Sequence, residues 1–147
     1  MSQTMIDPKA WVAISQAIAD HVWLIDNKLA DRAIDLFAEN PRLEFAQGSP
    51  VPAVYEGRQA VDAFLQARAA MRDIASRHVV SNIRMMCEDD GSIRVTSCVM
   101  LFRAGAGETG TNAALIADVT ERYVLEADGI WRIGERIVAP VFKASAK

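Results

Sequence analysis

The chain has 147 residues, of which 51% are hydrophobic and 24% charged, and its net charge is −3. That length suits one domain with its own core, and the balance is that of a globular protein. An acidic chain without a run of Lys and Arg is a poor match for nucleic acid or an anionic membrane surface, and no apolar stretch approaches the ~20 residues that span a bilayer.

In chain order, the opening MSQTMIDPKA has no basic region ahead of an apolar one, so no secretory leader is read there and the expected address is cytoplasmic. Asp7-Pro8 is a helix start, a capping carboxylate followed by proline. Trp11, Ile14, Ile18, Val22, Ile25 and Leu29 then recur at helical spacing as one apolar stripe. A shorter helix is expected from Asp31 to Ala38, stopped by Asn40-Pro41. RLEFAQGSPVPAVYEG reads as two short strands around a Gly-Ser-Pro turn, and helical periodicity returns from Gly57 with Ala60, Val61, Phe64, Leu65 and Arg68.

Everything after Ala75 alternates. His78 to Cys87 and Ile93 to Arg103 are strands joined by Asp89-Asp90-Gly91, and the loop AGAGETGTN follows. Ala113 to Leu125 and Ile130 to Val138 form a last hairpin around Ala127-Asp128-Gly129. Helices first and long antiparallel strands afterwards imply an α+β fold, with helices covering one face of a curved sheet. Cys87 and Cys98 read as reduced core thiols, and Met85, Met86, Met100 and the tryptophans as core or pocket wall.

Two residues stand out chemically. Asp26 lies about 60° from the middle of the first helix's stripe, on its border. His78 shares strand parity with Val80, Asn82 and Met86, so it is expected to point toward a cavity. Each has an ordinary structural reading when taken singly. Together they suggest general base catalysis, because a carboxylate that fixes the tautomer of a neutral imidazole makes it a useful base near pH 7. His21 lies about 140° around the helix from Asp26 and reads as a structural or pocket-rim group. Glu121 and Glu135 are expected to form ion pairs with nearby arginines, Arg122, Arg132 and Arg136 among them. The histidines and cysteines have no metal-ligand spacing, and the glycine-rich loop joins strand to strand rather than strand to helix.

Asp26 followed by Leu36-Phe37, then YEGRQAV, RHVVSN and the closing ERYVLEADGIWRIGER, together resemble the SnoaL-like branch of the nuclear transport factor 2-like superfamily from about Trp11 to Val138. The resemblance implies a single domain built as a cone-shaped α+β barrel, its sheet wrapped around the long N-terminal helix and an apolar pocket inside. Asp26 and His78 match the Asp–His dyad positions of scytalone dehydratase and hexachlorocyclohexane dehydrochlorinase, which work without cofactor or metal. This implies a lyase or isomerase of small apolar, cyclic substrates, with Trp23, Tyr55, Asn82 and Met100 as pocket neighbours. His21 stands where the dehydrochlorinase has a cationic side chain, and Leu125 and Glu126 stand near where it has an arginine. RHVVSNIRM with VTSCVMLFR also resembles the β subunits of ring-hydroxylating dioxygenases, which implies a structural-partner role as the alternative; a noncatalytic pocket for a hydrophobic small molecule is another. A sheet face rich in Val, Ile and Met leads us to expect a homo-oligomer, dimer or trimer.

Overall fold

In the computed structural model, which describes residues 4–109 and 112–144, Asp7 accepts a hydrogen bond from the Lys9 amide at 3.0 Å and starts α1, Pro8–Asp26. Ile14, Ile18 and Ile25 of its stripe are buried, whereas Trp11 is 42% exposed. A 3₁₀ segment, Ala30–Leu36, then leads into β1, Phe37–Phe45. The expected helix Asp31–Ala38 is therefore shorter and tighter. Asn40-Pro41 does not stop a helix: it lies within β1, where pairing with the last strand shifts register between Phe37 and Arg42. Proline has no N–H for the ladder, so the irregularity falls where the donor is missing.

β2, Ala53–Glu56, pairs antiparallel with β1, and α2, Arg58–Ala69, follows. The long strands are β3, Ala75–Cys87; β4, Ile93–Ala104; β5, Ala113–Leu125; and β6, Trp131–Lys143. They assemble in the order β2-β1-β6-β5-β4-β3, antiparallel except for β1 beside β6. The sheet is curved and unclosed, with β2 and β3 as free edges. Gly91 and Gly129 take positive φ in the turns between β3 and β4 and between β5 and β6, as tight hairpins require. Gly110 and Thr111 of the loop before β5 lie outside the described residues.

The concave face of the sheet meets α1, the 3₁₀ segment and α2. Ile14 and Ile18 from α1, Phe37 and Leu43 from β1, Val61 and Leu65 from α2, and Val95, Tyr123 and Ile133 from the sheet form the core. Cys87, the last residue of β3, is exposed and Cys98 is half-buried, both free, so neither is a core thiol. Among the described residues, no helix is long and apolar enough to cross a membrane.

Candidate active site

Asp26 is the last residue of α1, and Lys28, in the left-handed region at φ 66°, turns the chain away immediately afterwards. A carboxylate at a helix C-terminus faces the negative end of the macrodipole and needs donors from elsewhere. They come from β3. The His78 amide donates to Asp26 Oδ2 at 2.8 Å, and Ser76 Oγ donates to Asp26 Oδ1, also at 2.8 Å. His78 Nδ1 lies 2.7 Å from the same Oδ1. β3 is an edge strand, so alternate amides turn away from β4 and are free to bond a side chain.

The Asp26 side chain is 7% exposed and that of His78 19%. Burial works against the charged carboxylate, but the hydrogen bonds from the His78 ring and amide, the imidazole charge and the Ser76 hydroxyl outweigh it and hold Asp26 below the usual carboxylate range. An ionised Asp26 can only accept, so the 2.7 Å contact has His78 Nδ1–H as donor and leaves the lone pair on Nε2.

The pair forms one wall of a groove of about 530 Å³ between α1 and β3. Ile18, Ala19, Val22 and Trp23 line it from α1, and Val80 and Ile83 from β3, with Ser15, Asn27 and Arg77 as its other polar residues. The volume is that of a small-molecule site, and the walls are apolar around a small polar centre.

Of the expected pocket neighbours, Trp23 lines this groove; Tyr55, Asn82 and Met100 do not. Tyr55 packs its ring 4.9 Å from Phe64 and 6.5 Å from Phe45, under α2. Met100 lies opposite Val79 and Ile116, on the other face of the sheet from the His78–Leu101 pair. Asn82 sits at φ 54° where pairing between β3 and β4 shifts between Ser81 and Arg84. That irregularity reverses the alternation: Ser76, His78 and Val80 face inward before it, Ile83 and Met85 after it. Asn82 is exposed in consequence, and Met85 rather than Met86 reaches the core.

His21 is 6% exposed, with its ring edge on Phe37 at 5.8 Å, and does not line the groove. Its Nδ1 is buried with no partner among the described residues. Burial, then the charges of Arg136 and His78, push its pKa well below 6.5. Glu121 meets Arg136 across β5 and β6 at 2.6 Å, the pair almost wholly buried. Beside it, the Tyr123 pKa is pushed well up by burial and by the Glu121 charge. Glu135, by contrast, pairs at 3.4 Å with Arg42 of β1, not across the hairpin.

Sequence reasoning did not single out Ser76 or Ile83. Ser76 could have been found as the residue two before His78, on the same face of the strand. Ile83 could not, because its side follows from the irregularity at Asn82.

Residues 9–137 match the family model described as SnoaL-like domain. No protein of curated function matches the sequence. Among solved structures, ActVI-ORFA from Streptomyces coelicolor is 19% identical with a TM-score of 0.76, covering 90% of this chain and 98% of its own. A provisionally named scytalone dehydratase from Novosphingobium aromaticivorans is 20% identical with a TM-score of 0.76, covering 94% and 88%. The β subunit of a provisionally named aromatic-ring-hydroxylating dioxygenase from the same organism is 14% identical with a TM-score of 0.77, covering 93% and 92%. At these identities the likeness shows the fold, a helix-covered curved sheet of the nuclear transport factor 2-like kind.

Proposed function

The chain belongs to the SnoaL-like domain family, and from that premise we propose that it is a lyase or isomerase that moves a proton on a small, apolar, cyclic substrate without a cofactor. The observation that supports this reading is the 2.7 Å contact between His78 Nδ1 and Asp26 Oδ1 on the groove wall. Asp26 fixes the tautomer, His78 Nε2 takes a proton from a carbon acid lying against Val22, Trp23 and Val80, and the imidazolium formed is stabilised by the carboxylate. In an isomerisation His78 returns the proton at another carbon; in an elimination the leaving group departs as the C–H bond breaks.

The test is a screen of cyclic ketones and β-hydroxyketones in D₂O, read by proton NMR for exchange and elimination. With a turned-over compound, His78→Ala should lose ~10²–10⁴ in rate, the size of a positioned general base. An unchanged rate would sink the assignment.

The apolar walls equally suit a noncatalytic pocket for a hydrophobic small molecule. Saturable binding that survives loss of both Asp26 and His78, without turnover, would favour that reading. The fold likeness to a dioxygenase β subunit supports a third reading, a partner of a larger catalytic subunit; copurification with an iron-sulfur protein would be its mark. We also read the outer sheet face as a surface for self-association.

A further inference from the structure

The donors that hold Asp26 do not end with β3. Ser76 Oγ, which donates to Asp26 Oδ1 at 2.8 Å, itself lies 3.0 Å from Arg68 Nη2. Ser76 is 2% exposed, so its hydroxyl has little water to turn toward. A guanidinium can only donate and an ionised carboxylate can only accept, so the hydroxyl between them has one consistent orientation: it accepts from Arg68 and donates to Asp26. The chain of contacts therefore runs from α2, through the start of β3, to the end of α1.

We propose that Arg68 is a positioning residue of this site, orienting the Ser76 hydroxyl so that the Asp26 carboxylate stays ionised and fixed against His78. This rests on the Asp26–His78 reading above and adds a residue that does not line the groove and that hydrogen-bonds Ser76 rather than the dyad itself.

Two features of Arg68 fit the role. Its other terminal nitrogen, Nη1, is buried without a partner among the described residues. The side chain thus forgoes a hydrogen bond while Nη2 keeps the one to Ser76. Burial and the neighbouring Arg103 charge disfavour its guanidinium charge, and the Asp26 carboxylate favours it. By reciprocity Arg68 favours the charge on Asp26. Among the described residues, the charged and titratable groups facing this carboxylate are His78 on β3 and Arg68 on α2, with Arg77 of β3 on the same groove wall and its Nη1 on the Ser76 carbonyl oxygen; Arg103 on β4 acts on Arg68, and His21 on α1 on His78. Arg103 sits opposite Ser76 in the β3–β4 ladder and sends Nη2 toward the Met71 sulfur, 3.9 Å away, so the hydroxyl contact belongs to Arg68.

The test is a carbon-13 NMR titration of the Asp26 carboxyl in the full chain, free of any ligand, in wild type, Arg68→Met, Arg68→Lys, Ser76→Ala and His78→Gln. Arg68→Met keeps the alkyl stem, so packing is disturbed least. The expected result is a proton affinity at Asp26 about tenfold higher in Arg68→Met and in Ser76→Ala, with Arg68→Lys close to wild type because it keeps the charge. A purely structural Arg68 would lower the melting temperature and leave the Asp26 titration where it was. That outcome overturns the proposal. If Asp26 titrates alike in wild type and His78→Gln, the dyad reading itself fails, and the two failures are separated by which variant is silent. Should Arg68→Met fail to fold, Ser76→Ala decides: an unmoved titration overturns the relay.

Discussion

His21 sets a pH limit on the fold that can be worked out from its surroundings. In the unfolded chain it titrates near the ordinary value of 6.5, and in the fold burial and the charges of Arg136 and His78 hold it well below that. As pH falls below 6.5, the unfolded state therefore binds a proton that the folded state refuses. The stability that His21 contributes is fully present above the unfolded value. It declines by up to about 1.4 kcal/mol per pH unit until the folded value is reached, and no further below it. Urea unfolding of wild type and His21→Leu from about pH 8 to about pH 4.5 checks this, since the variant should lack that part of the slope. Identical slopes would mean that the buried ring does not resist its proton. At this scale the sequence is informative about placement and poor about partnership. The helical and strand periods are enough to set Asp26 and His78 on facing surfaces, and the structure brings them to 2.7 Å. The link through Ser76 to Arg68 depends on how closely α2 approaches β3, which no period in either segment records.

The elements were legible as elements because their periods are strong, and their ends and faces were hidden by local irregularities. Asn40-Pro41 reads as a breaker, yet Pro41 lies in a strand, as does Pro140, and pairing shifts beside each: between Phe37 and Arg42 in one case and between Ile116 and Ala117 in the other. The last strand accordingly runs to Lys143 rather than ending at Val138. The irregularity in β3 has the larger consequence, because it decides which side chains reach the groove and the core. A strictly alternating strand with His78 inward would put Ile83 and Met85 outward. The left-handed residue Asn82 reverses that, and asparagine tolerates the conformation where β-branched residues do not. Asn82→Val should therefore cost about 1–2 kcal/mol in urea unfolding, and Asn82→Gly about nothing or a slight gain. Equal losses in both variants would show that the asparagine side chain, rather than the backbone angle, holds the turn of the strand. Because Ile83 lines the groove, the valine variant should also weaken binding of whatever apolar molecule the groove accepts.

At the scale of the whole molecule, the two faces of the sheet differ in what covers them. The concave face is buried by α1, the 3₁₀ segment and α2, whereas no element of the described residues packs on the convex face. Across that face Val79, Met100, Ile116 and Phe142 stand opposite one another on β3, β4, β5 and β6 and make an apolar row. Val79 is 42% exposed and Phe142 65%, an unusual allowance of large apolar side chains for a surface left to water. The other end of the same face is charged: Arg94, Arg122, Glu135 and Arg42 follow one another in register. A second copy related by a twofold axis meets such a face with an identical apolar row, and closed symmetric pairs are the common outcome of self-complementary patches. Sedimentation velocity at micromolar concentration should then show an oligomer for the wild type and a shift toward monomer for Phe142→Lys. The substitution places a charge in the row without disturbing the core, so circular dichroism should not change. If the wild type sediments as a monomer, the face has no second copy to cover it. If Phe142→Lys sediments like wild type as an oligomer, the contact between copies lies elsewhere on the molecule.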